Sequence, residues 1–202
     1  MRTRESGFSM VELMIVCVIL VIISGIAVPN IFRTYRNYQL DSAGHSVASL
    51  LQQARIQAVK TNLPAYVNYT NAAAGNMAFV TNNPANKTYT YIAGQSDAQL
   101  SPAVTFENGS PDPSTPPDHA QLDAYLNVAP QVGGTIGFNA RGLPCTETGG
   151  NPTVCSTAAG FEWFMQSAGG WEAVTVTPSG RIKSWRLSTA TGGTCGYTAC
   201  WL

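Results

Sequence analysis

The sequence predicts an α+β protein in which one long N-terminal helix packs on an antiparallel β-sheet head. An apolar run from Phe8 to Val28 is as long as the roughly 20 residues that a helix needs to cross a bilayer. Apolar residues then continue at helical spacing as far as Asn62. After Pro64 the hydrophobic period changes from helical spacing to two, which is typical of strands. The chain of 202 residues therefore has room for one head domain beyond the helix.

The start of the apolar run carries its most specific feature. Glu12 is the one charged residue within it, and a carboxylate in lipid costs about 3 kcal/mol. Before the run stand a short basic leader, MRTRES, and Gly7. The string from Gly7 to Glu12 resembles the type IV prepilin (class III) signal, with glycine at the cleavage point, Phe8 next, and glutamate as the fifth residue of the product.

Two other interpretations of this run compete with the prepilin signal. One is an ordinary signal anchor. The other is a cleaved secretory signal, since Gly25-Ile26-Ala27 offers small residues at a suitable spacing. Neither of them requires Glu12, whereas the prepilin interpretation explains it.

The resemblance to prepilins implies a specific processing and assembly chemistry. A prepilin peptidase is expected to cut after Gly7, and the new amine on Phe8 is expected to be N-methylated. In a fibre, Glu12 of one subunit can then pair with the Phe8 amine of its neighbour. Two charges that are costly in lipid become complementary on assembly.

The helix is expected to continue beyond the apolar run. Pro29 removes one backbone hydrogen bond and should kink the helix. The helical pattern ends at Asn62-Leu63-Pro64. Its apolar stripe, expected to lie on the head, consists of Ala43, Val47, Leu50, Ala54 and Ala58. The predicted divisions are a cleaved leader (1–7), a transmembrane or fibre-core segment (8–28), an amphipathic continuation (29–62) and a β-rich periplasmic head (63–202).

The head is expected to contain short strands separated by turns rich in Asn, Gly and Pro. The Pro-rich segment from Gly109 to Asp118 is predicted to be a loop, and a short helical turn is expected at Ala120–Leu126. Thr177-Pro178-Ser179-Gly180 predicts a hairpin turn. The predicted strands are Ala65–Tyr69, Met77–Thr81, Thr88–Ile92, Ala103–Phe106, Thr135–Phe138, Phe161–Met165, Trp171–Val176 and Arg181–Leu187.

Composition and charge fit an exported domain. Charged residues make up 11% of the chain, and the formal net charge is zero, so no global electrostatic partner is implied. Arg2 and Arg4 favour a cytoplasmic leader, which sends everything after Val28 out of the cytoplasm. Arg33 and Arg36 lie on the far side and weaken that bias. The expected location is the inner membrane, with a single span and a periplasmic head, and then a periplasmic or surface fibre.

Five cysteines divide into one in the apolar run and four in the exported part. Cys17 is expected to act as a small apolar filler. Cys145, Cys155, Cys195 and Cys200 indicate two disulfides in an oxidising compartment. Three pairings are compatible with four cysteines, and the local ones, Cys145–Cys155 and Cys195–Cys200, are favoured. Zinc is the alternative, but no Cys-x-x-Cys pair or nearby histidine supports it.

With the helix-then-strands order behind this signal, the chain resembles the type IV pilin superfamily and, within it, the GspH/FimT group of minor pilins and pseudopilins. The segments that carry the group resemblance are Gln52–Asn62, Ile136–Gly142 and Val176–Lys183. The resemblance implies a non-enzymatic subunit that acts in fibre assembly or at the fibre tip, with other pilins as partners and no cofactor. Members serve either type II secretion or type IV pili, and the shared signal does not separate the two.

A second function within the group is DNA uptake, because some FimT-like proteins bind DNA through a C-terminal Gly-Arg-x-Arg motif. Here that place reads Gly180-Arg181-Ile182-Lys183. In a strand, Arg181, Lys183 and Trp185 share one face and Ile182 points to the other. With Arg186, these residues are the candidate DNA-binding set, and Trp185 is the candidate for stacking a base. The alternative is that a solvent-facing strand simply carries charges and that the tryptophans pack the head.

The sequence offers no convincing catalytic or metal site. His45 and His119 are far apart, and the acidic residues lack metal-loop spacing. Gly44-His45-Ser46 lies inside a helical pattern, so it does not form a nucleophile elbow. The sequence therefore predicts a protein that is not an enzyme.

Overall fold

A computed structural model of the chain describes residues 9–70, 77–81, 97–107, 120–127, 131–132, 135–148, 151–158, 160–167, 170–187 and 200–202. Its first element is the 52-residue helix α1, Met10–Thr61. Ser9, in extended conformation, precedes the helix, and Asn62 ends it in the left-handed conformation with φ 55°. Asparagine tolerates this conformation, and Pro64 follows, so the helix ends where the sequence predicts.

Helix α1 has an exposed half and a half that packs on the head. Its large apolar side chains from Met10 to Tyr38 are exposed, whereas Leu40 is the first fully buried residue. Pro29 lies inside the helix without ending it. The buried residues of the second half are Leu40, Ala43, Gly44, Val47, Leu50, Leu51, Ala54 and Ala58. All five members of the predicted apolar stripe are therefore in the interface with the head.

The head consists of eleven described strands and one short helix. In chain order they are β1 (Ala65–Thr70), β2 (Met77–Thr81), β3 (Asp97–Gln99), β4 (Thr105–Glu107), α2 (Ala120–Leu126), β5 (Gln131–Val132), β6 (Ile136–Phe138), β7 (Pro144–Thr148), β8 (Asn151–Thr157), β9 (Phe161–Ser167), β10 (Gly170–Val176) and β11 (Ile182–Arg186).

These strands form two sheets rather than one. The first sheet is antiparallel with the order β3-β2-β1-β6-β7-β8. The second has the order β11-β10-β9-β4, and β5 pairs with β9 in parallel. The antiparallel head expected from the sequence is thus confirmed, apart from the single parallel pairing of β5.

Two hydrophobic clusters hold the head together. The larger one lies between α1 and the inner faces of both sheets, with Leu51, Val67, Phe138 and Trp163 among its buried members. The smaller one lies on the other face of the second sheet, next to α2, and contains Leu122, Phe164, Trp171, Trp185 and Trp201. All four tryptophans are buried in these clusters, as expected for aromatic residues that pack the head.

Most described strands lie where the sequence predicts them. Strands β1, β2, β6, β9, β10 and β11 match within about two residues, and α2 matches the predicted turn. The predicted strand at Ala103–Phe106 starts later, because Ala103 is in a turn before β4. Strands β3, β5, β7 and β8 were not predicted. The predicted strand Thr88–Ile92 and the loop Gly109–Asp118 lie outside the described residues.

The structure describes whether four of the five cysteines are paired or free. Cys145 on β7 and Cys155 on β8 form a disulfide across neighbouring strands. Cys200 is also disulfide-bonded, and Cys195, its expected partner, lies outside the described residues. Cys17 is free and exposed on α1. One of the two local pairings favoured from the sequence is thus present.

Candidate functional site

The first candidate site is the exposed half of α1. It is the one helix in the described part of the chain that is long and apolar enough, by length and composition, to cross a membrane. No residue of its most apolar stretch is buried against the head. The whole surface of this stretch is therefore free to contact lipid or other helices.

Glu12 lies in the first turn of this helix. Its backbone amide donates a hydrogen bond to the Ser9 carbonyl at 3.1 Å. A carboxylate near a helix N-terminus is stabilised by the helix dipole. Gly7 and Phe8 lie outside the described residues, so the cleavage site and the Glu12–Phe8 pairing stay predictions.

The second candidate site is the hairpin formed by β10 and β11. Its turn is closed by a hydrogen bond from the Gly180 amide to the Thr177 carbonyl at 2.8 Å. Gly180 has φ +79°, a conformation that suits glycine. The exposed residue Arg181 follows at once, so its guanidinium is available to a partner.

Lys183 and Trp185 lie on one face of β11, as expected, but they contact each other. The Nζ atom of Lys183 lies 3.2 Å from the centroid of the Trp185 ring. Tyr125 of α2 packs edge-on against the same ring, and the indole N–H donates a hydrogen bond to Thr175 Oγ1 at 2.9 Å. Trp185 is only 6% exposed. Its ring is therefore covered within the head, which favours the interpretation that Trp185 packs the head over the interpretation that it stacks a base.

Arg186 is also committed to a contact within the molecule. Its Nη1 atom lies 2.7 Å from both carboxylate oxygens of Asp41 on α1. This ion pair ties the end of β11 to the helix at the point where the helix enters the head. Because Asp41 balances its charge, Arg186 adds little positive potential for a nucleic acid.

Arg181 has a different neighbourhood at the other end of the hairpin. The Nε atom of Arg55 on α1 donates a hydrogen bond to the Gly142 carbonyl at 3.0 Å. A Cβ on Gly180 would lie 2.6 Å from that same carbonyl oxygen, so the turns that contain Gly142 and Gly180 are in direct contact. Arg141 and Arg181 are exposed on these adjoining turns.

A buried acidic residue, Glu172, was not identified from the sequence. It lies on β10 opposite Arg186, and it is 3% exposed. Its Oε2 atom has no hydrogen-bond partner in the described part of the chain. Burial, and then the nearby charge of Asp41, raise the pKa of Glu172 from 4.5 to about 8, against the opposing effect of Arg186. The alternation of β10 could have located it, because Glu172 shares a face with buried Val174 and Val176.

Glu162 on β9 is a second buried acid, on the opposite face of the second sheet. It is paired across the strands with Thr175. Burial raises its pKa to about 8, and the nearby carboxylate of Asp123 on α2 adds to the effect. Within the described residues, no group of three or more His, Cys, Asp or Glu side chains is arranged to hold a metal ion.

Comparisons with known proteins identify two matching families. A prokaryotic N-terminal methylation motif matches residues 2–28, which include Gly7, Phe8 and Glu12. The family described as Type II transport protein GspH matches residues 43–180, which include the second half of α1 and most of the head.

The fold was also compared with solved structures. One match is the minor pseudopilin EpsH from the Type 2 Secretion System of Vibrio cholerae, with 13% sequence identity and a TM-score of 0.42. The match covers 73% of this chain and 97% of EpsH. A search of curated protein sequences finds no match.

The GspH match covers more than half of the chain, and it begins inside the same long helix whose first part belongs to the methylation motif. The chain has an α+β architecture, in which a long N-terminal helix is followed by two mainly antiparallel sheets. It therefore belongs to the GspH family of type II transport proteins.

Proposed function

We propose that this protein is a minor pseudopilin that is incorporated into the periplasmic fibre of a type II secretion system and acts there in assembly or at the tip. The observation that carries this proposal is the form of α1. Its first half exposes apolar side chains on all sides, and its second half is fixed in the head without a break at Pro29. Such a helix can be stored in the membrane and then pass into a fibre core.

The charge distribution on α1 supports the same role. Glu12 is the one charged residue between Ser9 and Phe32, and it lies in the first turn. A carboxylate at the edge of the lipid core finds few partners there, so a partner charge would favour departure from the membrane. The methylated amine of Phe8 on a neighbouring subunit is the partner that we propose, after cleavage behind Gly7 by a prepilin peptidase.

The chain is proposed to have no enzymatic activity of its own. The buried acids Glu162 and Glu172 lie on different faces of the second sheet, so they do not form a paired acid–base site. Before assembly the protein is proposed to be anchored in the inner membrane, with the head in the periplasm. Its partners are other pseudopilins, the prepilin peptidase and the lipid bilayer.

Two measurements test the proposal. Intact-mass analysis of the membrane-extracted protein should give a chain that starts at methylated Phe8. Deletion of the gene should lower secretion of folded exoproteins and leave twitching and transformation unchanged. A mature chain that starts at Met1 or Val28 would refute the pseudopilin assignment. Loss of twitching with intact secretion would assign the protein to a type IV pilus instead.

The second candidate function is a fibre-tip receptor for DNA. It is favoured by the two exposed arginines, Arg141 and Arg181, on turns that touch each other. Lys183 can add charge beside them, although its ammonium lies over Trp185. The support is weaker than for the structural role, because Trp185 and Arg186 are occupied within the head.

The DNA hypothesis is tested with the full mature chain in detergent, titrated with duplex DNA at low and moderate salt. Arg141→Gln/Arg181→Gln should abolish salt-sensitive binding, because phosphate contacts dominate such affinity. Lys60→Gln, which removes an exposed charge elsewhere on α1, serves as the control. Undetectable binding at low salt, or equal binding by wild type and the double variant, would leave the structural role alone.

A further inference from the structure

The end of the membrane-spanning run, together with the turns of α1 between it and the head, carries an unexplained set of exposed side chains. Ile31, Phe32, Tyr35 and Tyr38 are all between 58% and 69% exposed. Arg33 and Arg36 are exposed among them. Among the described residues, neither arginine has an ion-pair partner. Large aromatic surfaces and unpaired cations at one place are typical of an interaction site.

The position of this segment along the helix fits the surface of a bilayer. The run from Leu13 to Phe32 contains 20 residues and carries no charge. At 1.5 Å per residue it is about 30 Å long, which equals the thickness of the hydrocarbon core. Arg33 to Tyr38 then rise by about 8 Å, close to the thickness of one headgroup layer. Leu40, the first fully buried residue, lies two positions after Tyr38.

The arrangement of these side chains around the helix favours lipid over a single protein partner. At 100° per residue, Ile31, Tyr35 and Tyr38 form one stripe, and Arg33 and Arg36 form another on the opposite side. A protein that docked on one side would cover only one stripe. A headgroup layer surrounds the helix, so it can satisfy both stripes at once.

We propose that Arg33, Tyr35, Arg36 and Tyr38 form a collar that binds the phosphate-bearing headgroups of anionic phospholipids in the periplasmic leaflet. This inference rests on the membrane-anchored state in the proposed function. Tyrosine side chains favour the membrane interface, and each arginine near an anionic surface contributes attraction. The collar would also explain why two cations are placed on the translocated side, against the positive-inside tendency.

The test uses the full mature chain in detergent, titrated with phosphatidylglycerol or phosphatidylcholine and followed by native mass spectrometry. The wild type should bind phosphatidylglycerol more tightly than phosphatidylcholine. Each arginine is expected to contribute about 5-fold, so Arg33→Gln/Arg36→Gln should weaken phosphatidylglycerol binding by about 30-fold. Arg33→Lys/Arg36→Lys should keep most of the preference, and Lys60→Gln should keep all of it.

Equal affinity of the wild type for the two lipids, or an unchanged preference in Arg33→Gln/Arg36→Gln, would overturn the proposal. A second copy of the chain is the competing occupant, and it is tested in phosphatidylcholine nanodiscs that hold two copies. A dimer that is lost in Tyr35→Ser/Tyr38→Ser, without a lipid preference in the wild type, would assign the segment to self-association and overturn lipid binding. The assay needs no fibre or secretion, so its result is independent of whether the proposed function fails.

Discussion

The carboxyl group of Glu172 lies directly against the backbone of Gly44, where a side chain on α1 would have to be. A Cβ at position 44 would overlap both Oε1 and Cδ of Glu172. Helix propensity alone would favour alanine at this position. Glycine is therefore required because no space remains for a Cβ atom. The contact joins β10 to α1 one turn after Leu40, at the membrane-proximal end of the head.

The first prediction concerns this contact. Gly44→Ala should lower the free energy of unfolding by about 1–3 kcal/mol, because Glu172 is buried and must be displaced. In a Glu172→Ala background the same change should instead raise stability, by up to about 1 kcal/mol, through helix propensity. Denaturation of the full chain in detergent, followed by the fluorescence of the buried tryptophans, measures both.

Ser49→Ala is the control for Gly44→Ala, because Ser49 is exposed on the same part of α1. It should change stability by less than about 0.5 kcal/mol. If Gly44→Ala had the same effect with and without Glu172, the two residues would not be coupled, and the packing explanation would fail.

The second prediction concerns pH. The pKa values of Glu162 and Glu172 are raised from 4.5 to about 8 in the folded protein. At pH values between these two pKa values, the folded state binds more protons than the unfolded state. The free energy of unfolding should therefore fall as the pH rises from about 5 to 8. The expected loss is on the order of 4 kcal/mol per group, at about 1.4 kcal/mol for each pH unit.

Glu172→Gln isolates one of the two groups, because the amide is neutral at every pH in this range. Its unfolding free energy should depend less on pH than that of the wild type, and Glu162→Gln/Glu172→Gln should depend least. Denaturant titrations at a series of pH values measure this slope. A wild-type stability that rises between pH 5 and 8 would contradict the assigned protonation.

The third prediction concerns the disulfide between Cys145 and Cys155. It closes a loop with a sequence separation of 10 residues between two neighbouring strands. Cys145→Ala/Cys155→Ala should lower the free energy of unfolding by about 2–3 kcal/mol, because the unfolded chain regains loop entropy. Reduction of the wild type should have at least the same effect, since Cys200 is also disulfide-bonded.

Thiol labelling provides the matching chemical test. In the native protein only Cys17 should react, because it is the free cysteine of the described residues. Peptide mapping without reductant should recover the Cys145–Cys155 pair, and it is expected to recover Cys195–Cys200. Native labelling of Cys145 or Cys155 would show that this bridge does not form.

The fourth prediction concerns Glu12. Glu12→Val removes a carboxylate that costs up to about 3 kcal/mol in lipid, so the variant should insert at least as well as the wild type. Its incorporation into fibres should fall by at least about 10-fold, since breaking a buried ion pair costs about 3–5 kcal/mol. Immunoblots of sheared fibres and of the remaining membranes measure the two pools.

Met14→Val serves as the control for Glu12→Val, because it exchanges one apolar residue for another on the same exposed helix half. It should be incorporated like the wild type. Normal incorporation of Glu12→Val would show that the pairing with Phe8 is unnecessary, whatever the stability of the head.

The sequence predicts α1 well because the helical pattern extends over many residues and specific residues indicate where it ends. Asn62 and Pro64 set its C-terminus, and the apolar spacing from Ala43 to Ala58 matches the buried face. Strands β9 to β11 are also predictable, because the pattern of apolar and polar residues in each strand and the turn that ends at Gly180 depend only on residues that are close in sequence. Strand β3 was missed because it is three residues long, and β7 and β8 because polar and turn-forming residues dominate them.

The candidate site was less predictable because it depends on contacts between distant elements. The strand pattern placed Lys183 and Trp185 on one face correctly. It could not indicate that Tyr125 of α2 would close over Trp185, or that Asp41 would reach Arg186 across 145 residues. The sequence around Gly44 does not indicate why glycine is needed there, because the reason is a contact with the carboxyl group of Glu172 on another element.

The uninterrupted course of α1 through Pro29 gives the head a mechanical connection to the bilayer. The helix from Phe32 to Thr61 is about 43 Å long at 1.5 Å per residue. A change in tilt of about 20° within the membrane, the average for spanning helices, would sweep its far end sideways by about 15 Å. In the membrane-anchored state that we propose, the helix would act as a lever arm, and a change in membrane thickness would become a lateral displacement of the head.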